Sequence, residues 1–401
     1  MRELSCDVLV AGGGIAGIAA ALAAARSGAD VILAEKQCML GGLATSGLVT
    51  IYLPLCDGEG TQLSHGIAEE LLRLSIRHGA QDRNPEPWLR GTDREARKKV
   101  RYEAQFNPAY FMLESEALLL RAGVRILYDT RLCGVDVRGQ RIRAAEAEDE
   151  EGRVRIRCRA AVDASGSAVL YRLCGEETRQ NPAGNPVAGW YYASEREGLK
   201  LKMLGFADGA FGGMNADARF GGARAEEVNQ FLYMSHERTL QDLKKREAED
   251  ESFIEPALLA SMPQLRMICR IKGHKDMRYR DEGVSVPHSI GMVGDWRRRG
   301  PKFEVPYEAL YGRIENLYAA GRIVSCDDCE MWDVMRVIPC CAVTGEAAGI
   351  AAALTGSSRP SAEAVQNALR RAGQKLHFWE LDDAYCDIPF EWSPIKVSER
   401  A

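Results

Sequence analysis

Apolar positions in the first 36 residues fall into short unbroken blocks separated by glycine. Residues 7–12 (DVLVAG) and 29–36 (ADVILAEK) are runs of strand length, and the stretch 15–27 between them is apolar and rich in alanine. Runs this short, bounded by glycine, predict parallel strands buried on both faces. The segment between them predicts a helix closed by Gly28 in the left-handed conformation. Residues 38–65 are glycine-rich and lack a helical period, whereas 66–79 space their apolar residues as an amphipathic helix does. Residues 80–105 are polar and without period, which predicts a surface excursion. Asn107 and Pro108 open a further helix to Arg121, as N-cap and first helical residue. A strand over 123–129 follows, then a β-meander over 133–163 turning at Gly139 and Gly152, and a strand running into a turn at 158–166.

The texture changes after residue 185. Tyr191, Tyr192, Phe206, Phe211 and Phe220 stand among glycines. A polar helix over 225–248 follows, with strand-like pieces at 265–273 and 284–293. A buried strand over 316–322 and a small-residue helix over 339–354 then repeat the character of the opening unit. These patterns predict an α/β fold split in sequence. Residues 1–185 and 306–374 form one domain, 186–305 an inserted antiparallel-sheet substrate domain, and 375–401 an aromatic, acidic tail. That tail, with Phe378, Trp379, Tyr385, Phe390 and Trp392, is expected to pack on the body or on a second copy of the chain.

Composition narrows the class. With 46% hydrophobic and 27% charged residues in 401, the chain has the balance of a soluble globular protein, and its net charge of −5 excludes a basic nucleic-acid binder. The apolar run 8–25 is as long as a weak membrane span, but Gly12, Gly13, Gly14 and Gly17 interrupt it, so no membrane span is expected. The twelve cysteines follow no framework spacing and no export signal opens the chain, which predicts reduced thiols and a cytoplasmic location.

The clearest chemical signal is Gly12-Gly13-Gly14-Ile15-Ala16-Gly17, between the first strand and the first helix. Gly12 permits the tight turn, Gly14 lets backbone approach a pyrophosphate, and Gly17 lets helix and strand pack closely. Phosphates would rest on the free N–H groups at the helix start. Glu35, 18 residues after Gly17 and at the end of the second strand, is placed to bind a ribose diol.

Further motifs carry a resemblance. Gly41-Gly42-Leu43-Ala44-Thr45-Ser46-Gly47-Leu48-Val49 follows the acidic residue, Asp163-Ala164-Ser165-Gly166 lies mid-chain, and Asn316-Leu317-Tyr318-Ala319-Ala320-Gly321-Arg322 and Arg336-Val337 through Thr344-Gly345-Glu346-Ala347-Ala348-Gly349 come late. In order and spacing these resemble the FAD-dependent oxidoreductases of the glutathione-reductase-like flavoprotein superfamily, which implies FAD in a three-layer Rossmann-like domain. The resemblance implies that Gly12, Gly14, Ile15, Ala16, Gly17, Ala164, Ser165 and Gly166 surround the phosphates. It places Glu35 on the adenosine ribose, Lys36 beside the adenine, and Gly41 and Gly42 at the pyrophosphate. Leu43, Ala44 and Thr45 would run toward the flavin, and Gly321 and Arg322 would approach from the other side. Arg336, Val337, Thr344, Gly345 and Ala347 would bring a helix start to the flavin, and Leu132 completes the set. No second glycine motif of this kind follows a strand, so a separate pyridine-nucleotide domain is not expected. Electrons would pass from a small-molecule substrate to the flavin, then to oxygen, a quinone or a protein carrier.

Candidates for the chemistry itself are His274 and His288 as general base, and Arg297 (with Arg270, Arg278 and Arg280) as clamps for an anion. Cys326 and Cys329 form a CxxC pair that admits a thiol relay to the flavin. No second such pair exists, so no metal site is expected. The reading is a hydride transfer between a small polar organic substrate and flavin N5. Two rivals are redox-neutral chemistry on FAD and a non-catalytic flavin-binding subunit of a larger complex.

Overall fold

The computed structural model describes residues 1–91, 93–205, 218–249 and 252–381. Phe206, Phe211, Tyr385, Phe390 and Trp392 lie outside the described residues. Strand β1 (Arg2–Ala11) is the centre of a mixed sheet. It runs parallel to β2 (Val31–Ala34), which carries β3 (Arg125–Leu127) at the edge. The meander follows as β4 (Arg131–Arg138), β5 (Arg141–Asp149) and β6 (Gly152–Asp163). Its last strand is long enough for two tasks: residues 152–157 pair antiparallel with β5, and residues from Val154 to Asp163 pair parallel with β1. The meander is therefore continuous with the parallel sheet. β7 (Leu317–Ala319) adds to the far edge of β6.

The register brings the carboxyl ends of the parallel strands level. Ala11 lies opposite both Ala34 and Asp163, and Asp163 lies opposite Ala319. In open α/β sheets a ligand crevice forms at this edge. Helix α1 (Ile15–Arg26) leaves it directly after β1 and ends as the sequence predicts. Gly28 has φ +84°, and the amides of Gly28 and Ala29 bond the carbonyls of Ala25 and Ala24. The other helix of the core is α2 (Ile338–Leu354). Glycine sets its distance from α1: a Cβ at Gly345 would stand 2.4 Å from the Ala16 oxygen, and one at Gly349 2.2 Å from the Ala20 oxygen. Glu346, on the same helix, accepts bonds from the Ile67 amide at 3.0 Å and from Gln374 at 2.9 Å.

Residues 80–105 differ from the expected surface excursion. Trp88 is buried, stacks on Tyr102 at 5.1 Å and donates to the Val100 carbonyl at 2.7 Å. Two isolated aromatics, invisible to any periodicity, pin this polar stretch to the core. Beyond residue 185, Gly189–Glu195 is the middle strand of a three-stranded antiparallel sheet with Gly198–Leu204 and Phe253–Leu259. The helix Ala225–Glu249 packs across it, tied by Ser235 to the Ala188 carbonyl and by Tyr191 to Asp242. From Met267 onward the chain rejoins the main core, and Ile290, Val293 and Phe303 are buried there. The described start of the tail is docked at two residues, since Glu304 accepts from the Phe378 amide at 2.9 Å and binds His377 at 3.0 Å; Trp379, expected to pack on the body, instead stands 68% exposed, stacked on His377. Among the described residues no single helix is long and apolar enough to cross a membrane.

Two outcomes follow from the α1–α2 contact. Gly349→Ala should lower stability by about 2 kcal/mol through overpacking, while Gly356→Ala, with open space around it, should leave the urea midpoint nearly unchanged. Burial raises the Glu346 carboxyl to about 7, so the folded state holds a proton that the unfolded chain releases at lower pH. That contribution is whole below the unfolded carboxylate range and fades as pH rises through 7. Glu346→Gln should flatten the fall in stability between pH 5 and 7, an effect of about 3 kcal/mol, read by urea melts across that range.

Candidate cofactor and substrate site

Three glycine-rich turns meet at the carboxyl edge of the sheet, joined by backbone hydrogen bonds. The Gly12 amide donates to Ala34, the Gly41 amide to Gly13 at 2.8 Å, and the Ala164 amide to Ala11 at 2.9 Å. Gly12 has φ +97°, and a Cβ on Gly17 would lie 1.8 Å from the Gly12 oxygen, so neither position tolerates a side chain. A Cβ on Gly14, in contrast, would meet nothing within 4 Å. Asp163 holds the third turn by accepting from the Ser165 hydroxyl at 2.6 Å and the Leu170 amide at 2.8 Å.

Between these turns lies a cleft of about 930 Å³. Gly12, Gly14, Ile15 and Ala16 line it, as do Gly41 to Ala44 and Ala164 to Gly166, with Glu35, Lys36, Gly321, Arg322, Arg336 and Val337 closing it. A second space of about 1760 Å³ shares Gly12, Glu35, Lys36, Ser165 and Arg322 with it, and Leu132 lines that one. The remaining candidates stand behind the surface. Gly17 is covered by Gly12, and Thr45 donates to the Leu40 carbonyl at 2.5 Å. Thr344, Gly345 and Ala347 lie inside α2 rather than at its start. The helix begins within one residue of the predicted 339, with Pro339 in its first turn, where a missing N–H costs nothing, so the late motif falls in its interior. The residues that present the helix start to the cleft are Val337, Ile338 and Cys341.

The electrostatics suit an anion. Side chains cap some helix starts, at Asp93, Asn107, Asp328 and Ser361, while others, such as Ile67–Ser75 and Val169–Leu173, have none. The two helices that open on the cleft, α1 behind Gly14 and α2 behind Val337, have no side-chain cap. Their first amides remain as donors at positive dipole ends. Arg322 adds a cation whose Nε donates to the Gly166 carbonyl at 2.8 Å, and burial lowers its guanidinium to about 10. Binding an anion would relieve that desolvation. Glu35 is buried, its two oxygens accepting from the Gly13 amide at 2.6 Å and the Gln37 amide at 2.9 Å. Each oxygen retains a lone pair for a diol. Glycine cradle, two free helix starts, one arginine and one carboxylate fit the diphosphate and ribose of FAD.

The three catalytic candidates are not brought to this cleft. The Nε2 atom of His274 faces the Gly312 carbonyl at 3.1 Å and its ring packs on Tyr311. His288 is half exposed and pairs with Glu308. Arg297 is buried in an ion cluster: it binds Asp295 through two bonds of 2.9 Å and Asp333 at 3.5 Å, and Asp333 in turn holds Arg336 at 2.6 Å. Burial pushes the Asp295 carboxyl up, but hydrogen bonds from Arg297 and Tyr279 outweigh it and hold the group below its usual value. Arg270 lies over Trp332 and donates to the Cys326 carbonyl. Neither Cys326 nor Cys329 lines the cleft; Cys326 is buried and its thiol is pushed far up by burial. The cysteine that does line it is Cys341, raised by burial to about 11. Of the remaining lining, Val49 ends the Gly41–Val49 motif, whereas no pattern singled out Ile51, Leu53, Met262 and Arg266.

The model of a family described as FAD dependent oxidoreductase matches residues 7–189 and 267–376. A thioredoxin reductase of Ureaplasma parvum is 39% identical over 76 residues, which are 19% of this chain and 25% of that protein. A 4-oxocyclohex-2-ene-1-carboxylate 5-dehydrogenase of Sinomonas cyclohexanicum is 56% identical over 53 residues, 13% of this chain. The chain thus spans a quarter of the length of the first and 9% of the second. Among solved structures, a geranylgeranyl bacteriochlorophyll reductase-like protein from Thermoplasma acidophilum aligns with a TM-score of 0.46 at 14% identity, covering 92% of this chain and 83% of its own. A 3-ketosteroid-delta4-(5alpha)-dehydrogenase from Rhodococcus jostii aligns at 0.45 and 15%, covering 88% and 98%.

Removing one member of the buried ion cluster should be costly, because its partners stay charged and dry. Asp333→Asn is expected to destabilise the fold by about 3 kcal/mol, seen as a lower thermal midpoint. His288→Ala, at a half-exposed pair, should shift that midpoint little.

Proposed function

This chain belongs to the FAD dependent oxidoreductase family, and from that premise we propose that it oxidises a small organic molecule in the cytoplasm by hydride transfer to the flavin. The observation that carries the reading is the meeting of three glycine turns with two uncapped helix starts on one cleft. In our reading Glu35 holds the adenosine ribose. The start of α1 and Arg322 hold the diphosphate, and the first turn of α2 faces the flavin end. FAD, when bound, supplies the two-electron acceptor.

The chain's own part is to bind, orient and dry. Val49, Ile51, Leu53, Met262 and Ile338 form an apolar wall against which a substrate carbon can rest with water excluded. The segment 186–305 supplies Met262 and Arg266 of that wall, so we assign it the substrate side. Among the described residues no histidine lines the cleft.

The test is anaerobic mixing of the FAD-loaded chain with hydroxy acids, sugars, amines and thiols. The visible flavin absorbance should disappear with one class and return on admission of an electron acceptor. A chain that stays coloured with every donor, yet is bleached by dithionite, would point to redox-neutral chemistry or a non-catalytic subunit instead.

A further inference from the structure

We propose that FAD, on binding, firms the inserted substrate sheet, and that Leu48 is the positioning residue through which the two are coupled. The proposal concerns regulation of the site read above and rests on FAD occupying it.

Leu48 belongs to the loop 41–49, which serves two neighbours. Gly41, Gly42, Leu43, Ala44 and Val49 line the cofactor cleft. Residues 46–48 meet the insert instead. The Ser46 carbonyl accepts from the amides of Ser261 and Met262, at 2.9 and 3.1 Å, and the Gly47 carbonyl accepts from the side-chain amide of Gln264 at 2.6 Å. Leu48 is 1% exposed, and it completes a small apolar cluster whose other buried members, Ala188, Trp190 and Tyr192, all come from the inserted segment. That cluster is separate from the main core. Two positions further on, the Thr50 hydroxyl meets the Tyr192 hydroxyl at 2.6 Å.

The backbone at Leu48 is strained. Its φ of +55° lies in the left-handed region that a leucine rarely adopts. Such a conformation persists where its surroundings over-determine it. The Leu48 amide donates to the Thr45 carbonyl at 3.0 Å and the Val49 amide to the Leu43 carbonyl at 2.9 Å. A Cβ on Gly47 would stand 2.9 Å from the Leu43 oxygen, so the turn has no slack. One tight turn therefore gives Leu48 to the insert and Val49 to the cleft. A ligand that fixes Leu43, Ala44 and Val49 fixes Leu48 with them.

The insert has little other cover on its outer strands. Leu199, Met203, Leu258 and Leu259 are all among its exposed residues. A sheet so thinly covered opens locally with ease, and amide exchange reads that opening directly. Met262 and Arg266 also line the cleft, which makes direct contact with the cofactor the competing route.

The experiment is hydrogen exchange on the full chain, with FAD removed and then restored, read on the strand Gly189–Glu195. No residue of that strand lines the cleft or the space beside it. FAD should slow exchange there by about tenfold or more. Leu48→Gly accepts the same backbone and deletes only the side chain. It should cut that protection to about threefold or less while α1 stays protected, and Leu48→Met should restore it. Coupling is reciprocal, so Gln264→Met, which takes a donor from Gly47 at a residue outside the cleft lining, should weaken FAD binding by about fivefold or more. A wild-type chain that binds FAD with no change at the strand overturns the proposal and leaves the functional reading standing. Protection that survives in Leu48→Gly overturns it too, by assigning the coupling to Met262 and Arg266. So does a Leu48→Met chain that stays uncoupled, or wild-type FAD affinity in Gln264→Met. Should Leu48→Gly fail to fold, Gln264→Met decides alone. A chain that takes up no FAD overturns both readings.

Discussion

Everything at the cleft depends on how closely two helices approach. Side chains at Gly345 and Gly349 would drive α2 off the backbone of α1, and with it the separation that lets both helix starts reach one edge of the sheet. Backbone-to-backbone contact of this kind is bought with glycine and alanine, residues that contribute little apolar area of their own. The interior compensates elsewhere, with Trp332, Tyr171, Tyr318 and Phe111 fully buried. Packing therefore precedes chemistry here: the donors that can receive a diphosphate are aligned before any ligand arrives.

The legible part of the fold was written in local chemistry. Gly28 closing α1, Asn107 and Pro108 opening their helix, and Gly139 and Gly152 turning the meander need only their own neighbours to act. Glu35 was legible for a similar reason, since a short unit of strand, turn, helix and strand fixes its distance from the glycines. Where the reading failed, the deciding partner lay far along the chain. Arg297 looks like a free clamp until Asp333 is brought beside it, and His288 pairs with Glu308 at a half-exposed position outside the residues that line the cleft. Trp88 and Tyr102 meet across polar residues that carry no period. The stacking of Arg266 on Trp190 joins residues 76 positions apart, which no local pattern announces.

The buried charges divide between two roles. Asp295, Arg297, Asp333 and Arg336 neutralise one another and stiffen the rear of the cleft. Arg322, desolvated and met by a carbonyl rather than a carboxylate, keeps its charge and can take an incoming anion. The first kind makes a rigid frame and the second an invitation. Sequence cannot separate them, because both are arginines near the same motifs.

The stretches shared with the family stop at residue 189 and resume at 267, so Trp190 and Arg266 stand just outside each seam. The stacked ring and guanidinium therefore belong to the segment in which this chain departs from the family model, whereas the glycine turns of the cleft all lie within the shared part.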